Sequence, residues 1–595
     1  MSEKKYDDQD LAMAEFHKKG IVNTFEEVKK IKEYGGKEFE LTYRKQPLEI
    51  PCVTNFYDEF KQETTVINGD ILYERDFEVT LSDGKKMYVD IYRPVGATNL
   101  PVIMSWTPFG KRHWHGLGIA PGLHQAMGVP KGSISNMAAF EACDPSFWCR
   151  NGYAIVNVDA PGVGHSEGDF NGFCSQYGKE GYDCIEFIAG LDWSNGKVGL
   201  AGNSGLAIAQ WFIAAEQPPH LAAIAPWEGL SDFYRESVFA GGIPFSIFGN
   251  MIFSSMRGKG TVLDCTDAVH KYPLMNEMWD DMRANLEKIK VPAYVTAGYS
   301  HPLHLRGSVQ GFMKMRSRHK WLRLHREFEW PDFNNPKYMQ DLKLFFDRYL
   351  KEIYNGWELT PKVRVEVMDA YGFDYQTDRP ETDFPIPRTE YKKLYLDASN
   401  CTLNNDNPTI ESSVSYDAQT GEANFDIEFK EDTEITGFTK LKLWVEADGN
   451  DEMDLFVYMS KLDKDGNLIP THVFGGEPDP GAYGKMRVSH RTLDEKLSKD
   501  YLPVQSHLKE EKLKPGEIVA VEIEISVTSR IWHKGEKLRL NVAPRMVRDE
   551  SWFFPTLYET DNKGKHIIHT GGKYDSYVQV PVIPPRYKSG EYIFR

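Results

Sequence analysis

With 595 residues the chain is too long for one hydrophobic core, so several domains are expected. Its 41% hydrophobic and 26% charged residues are those of a folded globular protein, and the net charge of −17 argues against nucleic acid or an anionic membrane surface as partner. The seven cysteines are scattered and form no CxxC pair, so neither a zinc site nor a disulfide framework is indicated.

Residues 1–65 are charged and read as a helical extension, with Thr24 to Glu33 as its clearest segment. The polar start lacks the apolar run of a signal peptide. No run of about 18 apolar residues could span a bilayer, and a cytoplasmic location is expected. From Glu74 the pattern turns to strands, with Ser82-Asp-Gly-Lys as a hairpin turn between alternating runs.

Short apolar runs bounded by Pro and Gly follow at Val102 and Tyr153, as expected of buried parallel strands. A helix from Gly181, a strand from Val198, a helix from Leu206 and strands at Ala222 and Ala293 complete an alternation of strand and helix. That alternation implies a parallel sheet covered on both faces. Residues 66–230 and 291–355 are therefore read as an α/β domain, and the aromatic, Met-rich residues 231–290 as a helical cap inserted into it. Residues 356–595 read as an all-β domain of sandwich or jelly-roll type, from alternating runs such as Val363-Arg-Val-Glu-Val-Met and Lys440-Leu-Lys-Leu-Trp-Val.

The sharpest local signal is Val198-Gly-Leu-Ala-Gly-Asn-Ser-Gly-Leu-Ala207. An apolar strand runs through a turn with small residues into an apolar helix. Such a turn lifts the Ser204 hydroxyl above a sheet and aims backbone N–H groups at a substrate carbonyl. Leu206 stands where the strict G-x-S-x-G pattern has its last glycine. A proton-accepting histidine is expected on a loop after a late strand, and His325, closing Trp321-Leu-Arg-Leu-His, fits. His319 precedes that strand, and His301 and His304 lie in the loop before it.

The run Ala201-Gly-Asn-Ser-Gly-Leu-Ala-Ile-Ala-Gln-Trp-Phe, with Pro226-Trp-Glu-Gly, Trp106-Thr-Pro-Phe-Gly-Lys, Glu329-Trp-Pro-Asp and His569-Thr-Gly-Gly-Lys-Tyr-Asp-Ser, resembles the CocE/NonD hydrolases. These are related to cocaine esterase, α-amino acid ester hydrolases and X-Pro dipeptidyl peptidases. The resemblance covers roughly residues 70–590. It implies an α/β-hydrolase core with a helical cap and a galactose-binding-like jelly roll, and a serine hydrolase that needs no cofactor.

Carried onto this chain, the resemblance makes Ser204 the nucleophile and His325 the base. It places an acid just after the strand Ala293–Gly298, where the sequence has Tyr299-Ser-His301-Pro-Leu-His304 and no carboxylate. His301, Glu327, Glu329 or no residue could fill that role. The oxyanion hole is left with the Gly205 N–H, because Phe109 stands where the family donates a Tyr hydroxyl. Gly205 replaces a frequent bulky aromatic, which predicts a larger pocket, and Pro161 replaces a common Arg. Trp106, Trp227 and Asn203 are expected to line the substrate pocket.

The expected substrate is a small-molecule ester, or less readily an amide, with a homodimer as an open possibility. A non-hydrolytic reaction such as lactonisation or cyclisation, and a non-catalytic binding protein, are the alternatives. His113, His115 and His124 read as a surface loop rather than a metal site.

Overall fold

The central sheet is built from β3 (Glu63–Ile67), β4 (Ile71–Thr80), β5 (Lys86–Pro94), β6 (Leu100–Thr107), β7 (Ala154–Asp159), β8 (Ser194–Asn203), β9 (Leu221–Trp227), β11 (Ala293–Gly298), β12 (Lys320–His325) and β13 (Val363–Met368). Their spatial order is β3–β4–β5–β7–β6–β8–β9–β11–β12–β13, antiparallel as far as β7 and parallel from there on. The computed structural model describes residues 26–45, 60–112, 128–256, 258–301, 303–370, 372–471, 479–546 and 558–585; His113, His115 and His124 lie outside them.

The parallel strands are largely buried, polar residues included, because both faces of the sheet are covered. The helices Ser175–Ala189 and Gly205–Ala215 close one face with Ile185, Ile188, Ile208 and Trp211. Phe345, Phe346 and Leu350 of Pro336–Leu350 close the other. Val363–Met368 was expected to open the all-β domain, but it pairs in parallel with β12 and extends the central sheet. Its period-two pattern does not reveal which sheet it joins.

The helical expectation for the N-terminal segment is corrected where the structure describes it. β1 (Glu26–Tyr34) and β2 (Lys37–Lys45) form a hairpin, and β10 (Thr261–Leu263), from the inserted segment, adds a third strand. Gly35 and Gly36 turn the chain at φ 56° and 78°. Lys30 then reaches Asp169 at 2.7 Å. Tertiary pairing outweighs the helix propensity of a Glu/Lys-rich run.

The segment 231–290 contributes a π-helical turn (Tyr234–Val238) and the helices Ser246–Ser255, Cys265–Lys271 and Glu277–Asp281. Phe233 stacks on Phe253 and Tyr234 on Phe239. Beyond residue 390 the main strand pairings are antiparallel around a second apolar core that includes Leu441, Leu455, Val457, Ile523 and Leu540. Leu502, Val504, Val527 and Ile583 of this part pack into the core of the central sheet instead.

Candidate active site

Ser204 sits between the end of β8 and the helix Gly205–Ala215 at φ 54°, ψ −121°. A non-glycine residue rarely adopts that conformation, and its cost is borne by the packing around it. The turn tolerates no side chain on either flank. A Cβ on Gly202 would lie 2.6 Å from Leu206 Cβ, and one on Gly205 would lie 2.8 Å from the Phe109 ring. Ser204 N–H donates to Trp227 O at 3.2 Å, and the residue remains partly exposed.

The imidazole that reaches this hydroxyl is His304, not His325. His304 Nε2 lies 3.1 Å from Ser204 Oγ, and Leu230 N–H donates to its Nδ1 at 3.2 Å. His304 opens the helix His304–Lys314, which follows β11. His301, expected at the acid position, stacks on it with ring centroids 4.3 Å apart. His301 Nδ1 accepts from Leu303 N–H and His304 N–H, and its Nε2 faces Glu329 Oε1 at 3.2 Å.

Glu329, which begins the helix after β12, is the carboxylate of this group. Oε2 accepts from Asn203 Nδ2 at 3.1 Å and lies 3.9 Å from His304 Nε2. Glu327, the other carboxylate weighed for the acid, has a side chain 39% exposed and turned to Arg326. The histidine and the carboxylate therefore come from the loops after β11 and β12 respectively, the reverse of the expected order.

His325 lies beneath the cluster, fully buried, with Glu228 Oε1 3.0 Å and Asp332 Oδ2 3.5 Å from its Nε2. The Glu228 contact lacks hydrogen-bond alignment. Burial opposes charge on the ring, but Asp332, together with Glu228, holds its pKa above the usual value. Arg323 binds Asp332 through Nη1 and Oδ1 at 2.8 Å, so His325 belongs to a buried ionic layer.

Burial lowers both upper imidazoles, His301 to about 4 and His304 well below 6.5. It pushes Glu329 up, assisted by the Glu228 charge. Glu141 is a fourth group of this site that the sequence did not single out. It is 4% exposed, has φ 62°, and its Oε1 accepts from Trp330 Nε1 at 3.0 Å. Burial and Glu329 push its carboxyl well above the usual range.

The ligand atoms of His301, His304 and Glu329 lie within 4.8 Å of one another, close enough for a metal ion. The tautomers oppose it. Both Nδ1 atoms accept backbone N–H groups, so each ring carries its proton on Nε2, where a metal would need the lone pair.

Four pocket expectations are corrected. Trp106 and Trp227 are each 1% exposed and lie in separate cores on opposite faces of the sheet, because strand alternation drives their large rings into packing. Asn203 is equally buried, with its amide committed to Glu329. The space beside Gly205 is not enlarged, because the Phe109 ring fills it.

A strained serine between a parallel strand and a buried helix, with an imidazole on its hydroxyl, defines a serine hydrolase of the α/β-hydrolase fold. The chain belongs to the CocE/NonD family of hydrolases. It is 36% identical to a CocE/NonD family hydrolase from Staphylococcus aureus, with 90% of this chain and 100% of that one aligned at a TM-score of 0.84. Residues 83–264 match the family model for X-Pro dipeptidyl-peptidase (S15 family), and residues 355–579 match that for the X-Pro dipeptidyl-peptidase C-terminal non-catalytic domain. The cocaine esterase of Rhodococcus sp. (strain MB1 Bresler) is 24% identical over 87% of this chain and 100% of its own length. An α-amino acid ester hydrolase shares the fold, at 16% identity and a TM-score of 0.61 over 88% of this chain and 99% of that one.

Proposed function

We propose that the protein is a carboxylic ester hydrolase that forms an acyl-enzyme on Ser204. The contact between Ser204 Oγ and His304 Nε2, 3.1 Å at a strained strand–helix junction, carries the reading. His304 is assigned as the base and Glu329, held by Asn203 and His301, as the carboxylate that stabilises the imidazolium. In the free protein the Leu230 amide directs the ring proton to Nε2, so the serine is not yet activated. Base function needs the other tautomer, with the proton on Nδ1 and the Leu230 N–H displaced.

An ester is preferred to an N-terminal peptide. A cavity of ≈ 100 Å³ adjoins His301 and contains Glu236 and Glu524, which could hold a peptide amine. Both are already committed to Arg306, at 3.0 Å each. We further read residues 231–290 as a cap, the C-terminal strands as a jelly roll, and the free thiols as fitting a reducing cytoplasm.

The test compares p-nitrophenyl butyrate with an Xaa-Pro p-nitroanilide, using the wild type and Ser204→Ala. The ester should be cleaved and the anilide not, with Ser204→Ala inactive. Preferential cleavage of the anilide, or ester turnover surviving in Ser204→Ala, would overturn the reading.

A further inference from the structure

We propose that Glu141 completes the oxyanion hole, its carboxyl O–H joining the Gly205 N–H on the carbonyl oxygen of the bound ester. The proposal rests on Ser204 being the nucleophile.

Three observations converge on this residue. First, its backbone is tied to the nucleophile turn: Asn203 N–H donates to Glu141 O at 3.2 Å, and a Cβ on Gly202 would meet that same oxygen at 3.1 Å. At φ 62° the residue occupies a conformation that side-chain-bearing residues avoid, so its direction is imposed by its surroundings. Second, the two carboxyl oxygens differ. Oε1 accepts from the Trp330 indole, whereas Oε2 is shielded from solvent and has no hydrogen-bond partner of its own. The Ser204 hydroxyl and the Gly205 N–H face this carboxyl and pull its pKa down, but burial and the neighbouring Glu329 outweigh them and hold it well above the usual range.

Third, the segment over Gly205 offers only hydrocarbon there. The Phe109 ring packs against Gly205 and edge-on to Phe140, with centroids 5.2 Å apart. A backbone N–H alone is a thin oxyanion hole, and one donor is worth about 2.7–4 kcal/mol of transition-state stabilisation.

An ionised carboxylate with a buried, unpaired oxygen is costly, and a neutral acid is not. Of the two neighbouring glutamates, Glu329 accepts from Asn203 and His301 and takes the charge, while Glu141 keeps the proton on Oε2. In the reaction Ser204 Oγ bonds to the carbonyl carbon, and the C=O π pair moves onto oxygen. With the His304 ring proton moved to Nδ1, the serine proton passes to the freed lone pair of His304 Nε2. The oxyanion accepts from Gly205 N–H and Glu141 O–H, and Glu141 retains its proton throughout. Collapse expels the alcohol, which takes the proton from His304, and water repeats the sequence on the acyl-enzyme.

The experiment measures the rate at which a fluorophosphonate labels Ser204, since its phosphoryl oxygen enters the same hole. Wild type, Glu141→Gln, Glu141→Ala and Ser204→Ala are compared across pH, with melting temperatures recorded for each. Glu141→Gln keeps an N–H donor and should label within about tenfold of wild type, whereas Glu141→Ala should be slower by about 10²–10³-fold. The wild-type rate should fall as Glu141 ionises at high pH, and that fall should vanish in the isosteric Glu141→Gln. Two results overturn the proposal: a Gln variant as slow as the Ala variant, which would require the ionised carboxylate, or an Ala variant at wild-type rate. No labelling of wild-type Ser204 sinks the nucleophile reading instead, and this inference with it.

Discussion

Two histidines near the site differ in what surrounds them, and that difference predicts opposite phenotypes. His304 faces the serine, and the nearest carboxylate to its ring, Glu329, stands 3.9 Å away. Replacing it with Ala should lower kcat by about 10⁶-fold with little change in melting temperature. His325 faces Glu228 and Asp332 in a site closed to water. His325→Gln leaves buried carboxylates short of a cation and should cost about 3–5 kcal/mol of stability. Because the folded state raises the His325 pKa, its contribution is fully present below 6.5 and is lost as pH rises through the raised value. The melting-temperature gap between wild type and His325→Gln should therefore be widest on the acid side and close at alkaline pH. A gap independent of pH would show that the ring acts by shape rather than charge.

The helix His304–Lys314 joins the site to the C-terminal part. Two residues beyond His304, Arg306 binds Glu236 of the inserted segment and Glu524 of the C-terminal strand Val519–Trp532. Glu236 is buried, and burial holds its carboxyl above the usual range; the Arg306 guanidinium and the Ser231 and Asp232 N–H groups work against that rise. Arg306→Ala should cost about 3 kcal/mol. By loosening the start of the helix it should also lower kcat by up to about 10²-fold, the size of effect a 1 Å misplacement can have. Thermal melting and ester turnover measured together check this. Loss of stability with unchanged kcat would show that the Arg306 ion pairs do not position His304.

Across the whole molecule, the boundary between the two large parts is not a gap. Leu502, Val504, Val527 and Ile583 lie in the same apolar core as the central sheet. Met368 of β13 forms a bridge to Arg530 of Val519–Trp532. A shared core unfolds as one unit, so calorimetry should record a single cooperative transition. Two resolved transitions would mean that the parts are independently stable.

The strands flanking Ser204 and the apolar helix after it were legible in the sequence because parallel strands and buried helices carry long apolar runs bounded by turn residues. The family was legible for the same reason, in runs such as Ala201–Phe212 and Glu329-Trp-Pro-Asp. What tertiary structure decided was which polar groups meet. His304 follows β11 and Glu329 follows β12, the reverse of the expected order of imidazole and carboxylate, and a histidine at a strand end is indistinguishable by pattern from one a loop away. Glu141 lies 63 positions before Ser204, in a stretch without periodicity, and only the fold brings it to the turn. The Phe109–Gly205 contact is likewise invisible to local pattern, since it depends on one ring filling the volume another residue vacates. The elements around Ser204 follow from neighbours along the chain, while the N-terminal hairpin and the chemistry of the site follow from neighbours across it.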